Sequence, residues 1–524
     1  MKARTWSRLA VAILIGVILM SVFGVFTGLP DNAGRIASHV IIDGADTQLG
    51  RNFADELVAH PGLNGVKLLG EGRDAFVGRA MLARLAERSI DTQYYMWHQD
   101  TVGRLLIKEL ISAADRGVRV RLLIDDMYGS DGQDTWLALD THSNIEVRLF
   151  NPFTRSQPKY LQFVTRFKDV NYRMHSKTFT VDNQATIVGG RNIGNEYFDA
   201  DPDLAFADMD ALAIGPAVPQ VSAEFDEYWN SEYAYPVTTL LPDGSDADLQ
   251  ALRDQADAFF AESSTTSYLR AVKNSKFANE LRGGTAEFHW GPGKIIHDSS
   301  EKKAHDENWQ QELLISQLAP YITGSTEEVI MVSPYFVPGR RATDALCKLA
   351  QNGVRVRVLT NSLASNDVAA VHAGYTNYRK PLLRCGVELY ELNEQLKNEQ
   401  RKAFSWLPGL SKSSLHAKIM VFDKKRMFVG SFNFDQRSLH INNEIGLLFE
   451  QIELAGPAAG KLDRGMNRIA FKVELHTNTS GKESLRWRGM ENGQEVVLDA
   501  EPYVGFGSKA AVWFIRLLPV ESLL

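Results

Sequence analysis

The feature that most restricts this chain is a polar pattern that occurs twice. HSKTFTVD at 175–182 and HAKIMVFD at 416–423 share a His, a Lys two places on, and an Asp five places after that. Each runs on to a small pair, Gly189-Gly190 and Gly430-Ser431, and then to Asn192 and Asn433. Every position of the second copy stands 241 residues after the first, as 416 stands after 175. One HxK on a strand is an accident; this ordered set, repeated, is a duplication.

The flanks repeat too. LIKELISAADRGVRVRLLIDD (106–126) reads as an amphipathic helix, a glycine stop at Gly117 and a β-branched strand. ALCKLAQNGVRVRVLT (345–360) has the same grammar, with GVRVR in both. Aromatic strands precede these helices, SIDTQYYMW (89–97) and EVIMVSPYFVPG (328–339), and further strands follow the histidine motifs, MDALAIGP (209–216) and NEIGLLFE (443–450). The expected fold is α/β. It has two similar halves, each a mixed sheet flanked by helices, related by a pseudo-two-fold axis with one shared active site.

At 524 residues the chain has length for two sizeable cores, and 44% apolar with 23% charged residues is a globular composition. The net charge of −7 weighs against a life on nucleic acid, and no nucleic-acid partner is expected. Cys347 and Cys385 make neither a disulfide framework nor a zinc site. Two buried thiols are the reading, with a single bridge as the alternative. From Leu9 to Pro30 no residue is charged, and Lys2, Arg4 and Arg8 precede this run. About 20 apolar residues span a bilayer as a helix, so an uncleaved anchor is expected, with a cleaved signal peptide as the competitor. The basic flank would remain cytoplasmic and send the rest of the chain outward. The organisation expected is an anchor at 1–30, a leading segment at 31–66, a first half at 67–242, a connector at 243–284, a second half at 285–470, and a hairpin with an amphipathic tail at 471–524.

On a strand, residues i and i+2 share a face, so His175 projects with Lys177 and His416 with Lys418. Asp182 and Asp423 complete the catalytic motif in each half, but their parity is opposite, which assigns them to the turns that follow. Asn192 and Asn433 return on the next strands, where the small pair lets backbone approach an anion. Two such halves would enclose one phosphodiester. Lys177, Lys418, Asn192 and Asn433 would hold its oxygens, one His would attack phosphorus, and the other would protonate the leaving alcohol. The nucleophile's other ring nitrogen needs an acceptor. Asp210 and Glu444, each opening an equivalent strand, are the candidates, with Asp208 the rival one pleat earlier. The lysines supply positive charge, so no cofactor and no metal is called for. Tyr95 and Tyr335 end equivalent strands and are expected to pack in the core, with lining the site as the alternative; His98, His142, His372 and His440 have no matched partner and are read as structural or solvated.

HxKxxxxD twice, each followed by GG or GS and an Asn, resembles the phospholipase D superfamily, and the halves are accordingly phospholipase D-like. Within it, SIDTQYYMW, NIEVRLFNPF, RMHSKTFTVD, IVGGRNIGNEYF, LHAKIMVFD, GSFNFDQRS and the LPVESLL ending look like the C-type branch of bacterial cardiolipin synthases over roughly 45–524. The resemblance implies phosphatidyl transfer through a phosphohistidine, with His175 as nucleophile and His416 as acid. It also implies phospholipid substrates (phosphatidylglycerol, with phosphatidylethanolamine a further candidate) and a place at the bacterial inner membrane, with the catalytic part on the periplasmic side. A phospholipase D hydrolase releasing phosphatidic acid shares this motif, as does a nuclease. Ser431 in place of a second Gly implies that the two halves hold phosphate differently. Basic, aromatic segments precede both histidines: 153–174, with Arg155, Lys159, Arg166, Lys168 and Arg173, and 396–415, with Lys397, Arg401, Lys402, Lys412, Phe404 and Trp406. They suit an anionic membrane surface, with solvated loops as the alternative; Trp513, Phe514, Leu517 and Leu518 in the tail suit the same interface or a cover for the second core. Oligomeric state has no signature here.

Overall fold

The computed structural model describes residues 28–201, 205–242, 244–261, 268–270, 274–302, 313–366, 368–394, 414–491 and 493–516. The apolar run from Leu9, apart from its last residues, lies outside them, as do 396–413, Leu517 and Leu518. Among the described residues no helix is long and apolar enough to cross a membrane.

Two mixed sheets carry the halves. The first is built on β1 (Asn64–Leu69), β2 (Ser89–Tyr94), β3 (Arg119–Asp125), β4 (Ile145–Phe150), β5 (Thr178–Val181), β6 (Ala185–Gly189), β8 (Asp210–Ile214), β9 (Ala234–Pro236) and β10 (His289–Gly291), after the short β7 (Phe206–Ala207) has left it. Its order is β10-β1-β8-β6-β5-β2-β3-β4-β9. The second comprises β11 (Gly293–His297), β12 (Glu328–Val332), β13 (Arg355–Thr360), β14 (Glu388–Leu392), β16 (Ile419–Phe422), β17 (Arg426–Gly430), β18 (Ile445–Glu450), β19 (Ala470–Thr477), β20 (Glu483–Glu491) and β21 (Gln494–Leu498), with β15 (Ser414–Leu415) apart. Its order, β11-β18-β17-β16-β12-β13-β14-β19-β20-β21, repeats the first from β18 to β14. In both, three parallel strands (β2-β3-β4 and β12-β13-β14) adjoin an antiparallel set that begins with the histidine-motif strand. The chain passes from one sheet to the other at Pro292, between β10 and β11.

Helices Gly72–Leu85 and Thr101–Asp115 cover the outer face of the first sheet. Leu314–Thr323 and Gly339–Gln351 cover that of the second. The inner faces pack on each other through Val66, Ala211 and Ala213 from one and Ile419, Val421, Val429 and Leu447 from the other. With both faces covered, the parallel strands are buried almost throughout, and the polar side chains they carry are paired inside, as Asp91 is with Arg121 and Gln93 with Glu224. GVRVR explains itself here. Gly117 (φ +93°) and Gly353 (φ +90°) turn the helix into the strand in a conformation that favours glycine. The second arginine of each copy is a buried lock: Arg121 pairs with Asp91 at 2.6 Å and Asp226 at 2.8 Å, and Arg357 pairs with Glu328 and Asp463.

The cysteines are not two buried thiols. Cys347 on Gly339–Gln351 and Cys385 beside the helix Arg379–Arg384 form a disulfide. The helices that carry them pack together, a proximity that two isolated Cys positions do not disclose. The expected hairpin is β20–β21, and the tail is the helix Phe506–Ile515 packed on Ala369–Thr376.

Candidate active site

His175 and His416 precede β5 and β16, and each is seated by the opposite half. The backbone N–H of His175 donates to Asn443 O at 2.8 Å, just before β18, and that of His416 donates to Ala207 O at 2.8 Å, at the end of β7. The residue after each acceptor is a carboxylate that turns back onto the ring. His175 Nδ1 meets Glu444 Oε2 at 2.8 Å, and His416 Nδ1 meets Asp208 Oδ2 at 2.5 Å. Holding Nδ1 leaves Nε2 of each ring to face a reacting atom. The side-chain partners that fix the histidines are thus exchanged between halves.

The preceding residues are fixed alike. Asp125, ending β3, accepts from Met174 N at 2.8 Å, and Asn361, just past β13, accepts from Leu415 N at 3.0 Å. The histidines therefore stand at the carboxyl ends of the parallel strands. They are 7% and 9% exposed, so a reactant can reach them while bulk water is largely excluded. Lys177 and Lys418 lie beside them, each ammonium donating to the carbonyl of its own histidine, the first at 2.5 Å. Lys418 Nζ is also 3.0 Å from His416 Nδ1; with that nitrogen's proton directed at Asp208, the ammonium is a neighbour there and not a donor.

The electrostatics join both halves and separate the two rings. Burial, then Lys177, Lys418, His416 and Arg437, push His175 well below the usual imidazole range, so it is neutral. Burial and Lys418 also lower His416, but Asp208 works in the opposite direction by charge and hydrogen bond. Burial would raise Asp208, yet His416, Lys418 and Arg191 bring it below its ordinary value, so it is ionised. Burial pushes Glu444 up to about 7, against Lys177 and two serine hydroxyls, and brings Lys177 down to about 7. Both imidazoles therefore lie below the usual range, His175 well below it, and His416 has beside it an ionised carboxylate that works in favour of its charged form.

Two expectations are corrected, those for Asp210 and for Tyr95. Asp210 does not orient a histidine: it pairs with Arg79 at 2.9 Å and Arg191 at 3.4 Å, and Asp208 holds His416 instead. Gly189 pairs with Asp210 and Gly430 with Gly446, so the counterpart of Glu444 is Asp208, a one-pleat shift. Asp182 and Asp423 stand apart from the reacting groups. Each occupies a left-handed hairpin corner (φ +52° and +50°), and its carboxylate accepts from three successive backbone N–H groups, 87–89 and 326–328 respectively. They tie the motif strand to the start of β2 and of β12, and are framework. Tyr95 is no core residue; its ring meets the His175 ring edge-on at 5.0 Å, with Lys177 Nζ 5.4 Å from its centroid. Tyr335 packs at the edge of the second core, and His372 is buried against Glu501 at 3.0 Å.

The small pairs make room for the protein's own anions. A Cβ on Gly190 would lie 2.2 Å from Asp208 Oδ1, and one on Gly189 would lie 2.0 Å from Asp210 Oδ1. Ser431 fits because Glu444 is longer: its hydroxyl donates to Glu444 Oε2, while Ser438 donates to Oε1 at 2.7 Å. The Gly/Ser difference acts on the carboxylates that hold the histidines.

Asn192 Nδ2 donates to the Tyr197 hydroxyl at 3.0 Å, and the Tyr197 ring packs on that of His416 at 5.2 Å. Asn192 and Asn433 each keep a buried Oδ1 without a protein partner. Amide ends are interchangeable by rotation, so either group can turn its NH₂ to an anion. Sequence reasoning missed Arg437, whose guanidinium donates to Asn171 Oδ1 and O at 2.7 and 2.8 Å across the halves. It also missed Arg191, which donates to Asp208 O at 2.6 Å. Both sit inside quoted motifs, GSFNFDQRS and IVGGRNIGNEYF, and unpaired-looking arginines there were the available signal. Among the described residues no group of three or more His, Cys, Asp or Glu is placed to hold a metal ion.

A family model described as cardiolipin synthase, PLD-like domain, matches residues 81–229 and again 318–466. Cardiolipin synthase C of Escherichia coli (strain K12) is 39% identical over 467 residues, 89% of this chain and 97% of its own length. A cardiolipin synthase of Halalkalibacterium halodurans is 25% identical over 382 residues, 72% of this chain and 61% of its own. Among solved structures, phosphatidylserine synthase of Haemophilus influenzae Rd KW20 is similar in fold, with a TM-score of 0.55 at 11% identity over 90% of this chain and 100% of that one.

Proposed function

Because this chain belongs to the phospholipase D-like cardiolipin synthase family, we propose that its two motif histidines transfer a phosphatidyl group at a single phosphorus atom. The chain is a phosphatidyltransferase of phospholipids. The observation that carries the assignment of residues is the exchange of carboxylates, Glu444 onto His175 and Asp208 onto His416, which makes each half incomplete without the other.

His175 Nε2 attacks phosphorus of a donor phospholipid. The bond to the headgroup oxygen breaks, and His416 gives that oxygen its proton. Burial among cations keeps His175 neutral and nucleophilic, while ionised Asp208 favours the protonated form of His416. Lys177, Lys418, Asn192 and Asn433 take the non-bridging oxygens and the charge that grows on them. His416, now neutral, deprotonates the glycerol headgroup of a phosphatidylglycerol. The resulting oxygen displaces His175, giving cardiolipin. With phosphatidylglycerol as donor the first product is glycerol; with phosphatidylethanolamine it is ethanolamine.

We place this reaction at the bacterial inner membrane, with the catalytic halves (67–242 and 285–470) on its periplasmic side. The apolar run at 9–30 with its basic flank supports an anchor of that orientation. The Cys347–Cys385 disulfide supports an oxidising compartment. The test is product analysis. Purified protein on vesicles of phosphatidylglycerol, with and without phosphatidylethanolamine, is expected to form cardiolipin. Phosphatidic acid alone would make it a hydrolase.

A further inference from the structure

The short helix Lys159–Thr165 is inside out for a water-facing element. Its polar Gln162 is fully buried, with Oε1 accepting from Thr154 N at 2.9 Å and Nε2 donating to Thr154 O at 2.9 Å. Tyr160 and Val164, one turn apart and so on one face, are 71% and 70% exposed, and Phe167 beyond them is exposed as well. The cations Lys159, Arg166 and Lys168 adjoin them in sequence, Lys168 exposed while Lys159 reaches back to Met127 O and Arg166 to Gln162, and Asp169 is the one acid between 159 and 170. The other half has a matching projection. The helix Phe506–Ile515 buries Val512 against Leu363 and Ala373, while Trp513 and Phe514 point outward with Val368 exposed nearby. Lys509 and Arg516 flank them, and no acid lies between 505 and 516.

Position makes these two features one surface. The first follows β4 and the second packs on Ala369–Thr376, which follows β13. The first thus leaves the carboxyl end of β4 and the second rests on a helix that leaves the carboxyl end of β13, at the strand ends where Asp125 and Asn361 fix the residues before His175 and His416. We propose that Tyr160, Val164 and Phe167 on one side of the site mouth, and Trp513 and Phe514 on the other, insert into an anionic bilayer and seat the mouth on it. Apolar side chains ringed by Lys and Arg suit a headgroup boundary, and local basic charge on a chain of net −7 selects an anionic surface. The inference rests on bilayer phospholipid being the substrate and adds which residues bring the site to it.

The test uses the full chain with Val164→Cys, Phe514→Cys or, as a control on the distant hairpin turn, Ser480→Cys, each labelled with an environment-sensitive fluorophore. Cys347 and Cys385 are paired and do not compete for label. In vesicles of phosphatidylglycerol and phosphatidylcholine, iodide quenching at 164 and 514 is expected to fall at least about threefold below that at 480. Equal quenching at all three sites would overturn the proposal. Shielding that grows with the protein-to-lipid ratio would also overturn it, by assigning the patch to a second copy of the chain. A second readout separates docking from chemistry. Tyr160→Asp with Val164→Asp and Trp513→Asp should lower turnover of vesicle phosphatidylglycerol about tenfold or more. Dibutyryl-phosphatidylglycerol, dissolved as monomers, should react at the parent rate. Equal loss on both substrates would contradict docking. Failure of the parent on both would instead contradict the phosphatidyltransferase reading, and the quenching result would still decide docking.

Discussion

Glu444 of the second half holds the imidazole of His175 of the first, Oε2 to Nδ1 at 2.8 Å, and Asp208 returns the arrangement to His416. The two pairs are not interchangeable. Glu444→Ala removes the acceptor that fixes the nucleophile and should lower kcat about a thousandfold with any leaving group. Asp208→Asn weakens the acid, so its loss should be large with an alkyl headgroup and small with p-nitrophenol, which leaves without a proton. First-turnover rates of leaving-group release from two phosphodiesters differing only in leaving group check this; equal losses would contradict the division of roles.

Ser431→Gly gives the second half the same small pair as the first. Because the Ser431 hydroxyl serves Glu444 and not phosphate, kcat should fall about tenfold, the size of one lost hydrogen bond to a charged or acidic group, with KM unchanged. A raised KM with kcat intact would place Ser431 against the substrate.

Lys177, brought down to about 7 by burial, is half deprotonated near neutrality in the free enzyme. Its ammonium is the form that binds phosphate, so kcat/KM should fall as pH rises through about 7. Bound phosphodiester stabilises the ammonium, so the same limb in kcat should lie higher. Lys177→Arg should abolish the limb, whatever its cost in rate. A pH–rate profile unchanged in that variant would remove Lys177 as its source.

Glu224 lies on the helix Ala217–Asn230 beneath the site, takes a hydrogen bond from Gln93 at 2.6 Å, and is raised by burial to about 8. The unfolded chain loses this proton near its ordinary value of 4.5 while the folded chain keeps it. The stability it contributes is therefore complete below about 4.5 and is lost as pH rises to about 8. Glu224→Gln cannot ionise, so its stability relative to the parent should climb across that window. Denaturant melts at several pH values measure the difference, and a flat difference would contradict the raised value.

The Cys347–Cys385 bond closes a segment of separation 38 across two helices of the second half. Cys347→Ser with Cys385→Ser should cost about 3 kcal/mol by denaturant unfolding. It should leave kcat of the folded protein unchanged, since both residues are remote from the histidines. A loss of kcat without loss of stability would link the bridge to the site.

The duplication was legible because its residues are fixed by geometry that recurs. His, Lys and Asp keep one spacing within a strand and its turn, and the small pair and Asn follow on a hairpin of the same length in both halves. Legibility failed where the halves differ. Between Asn192 and Asp208 the first half has a longer connection than the second has between Asn433 and Glu444, so matching the starts of the following strands selects Asp210 over Asp208. Register with Gly189 and Gly430 corrects it. The exchange of carboxylates was hidden for another reason: parity says which face a side chain occupies, not which half's histidine lies there. The inverted helix at 159–165 was hidden because burial of Gln162 and exposure of Val164 are tertiary outcomes.

The most direct test is a trap on His416→Ala with a p-nitrophenyl phosphodiester, read by peptide mass spectrometry. The second histidine is absent and the leaving group needs no proton, so one equivalent of p-nitrophenol should be released and the phosphoryl adduct should be found on His175. An adduct on any other residue, or p-nitrophenol released at the same rate after His175→Ala, would contradict two histidines acting on one phosphorus.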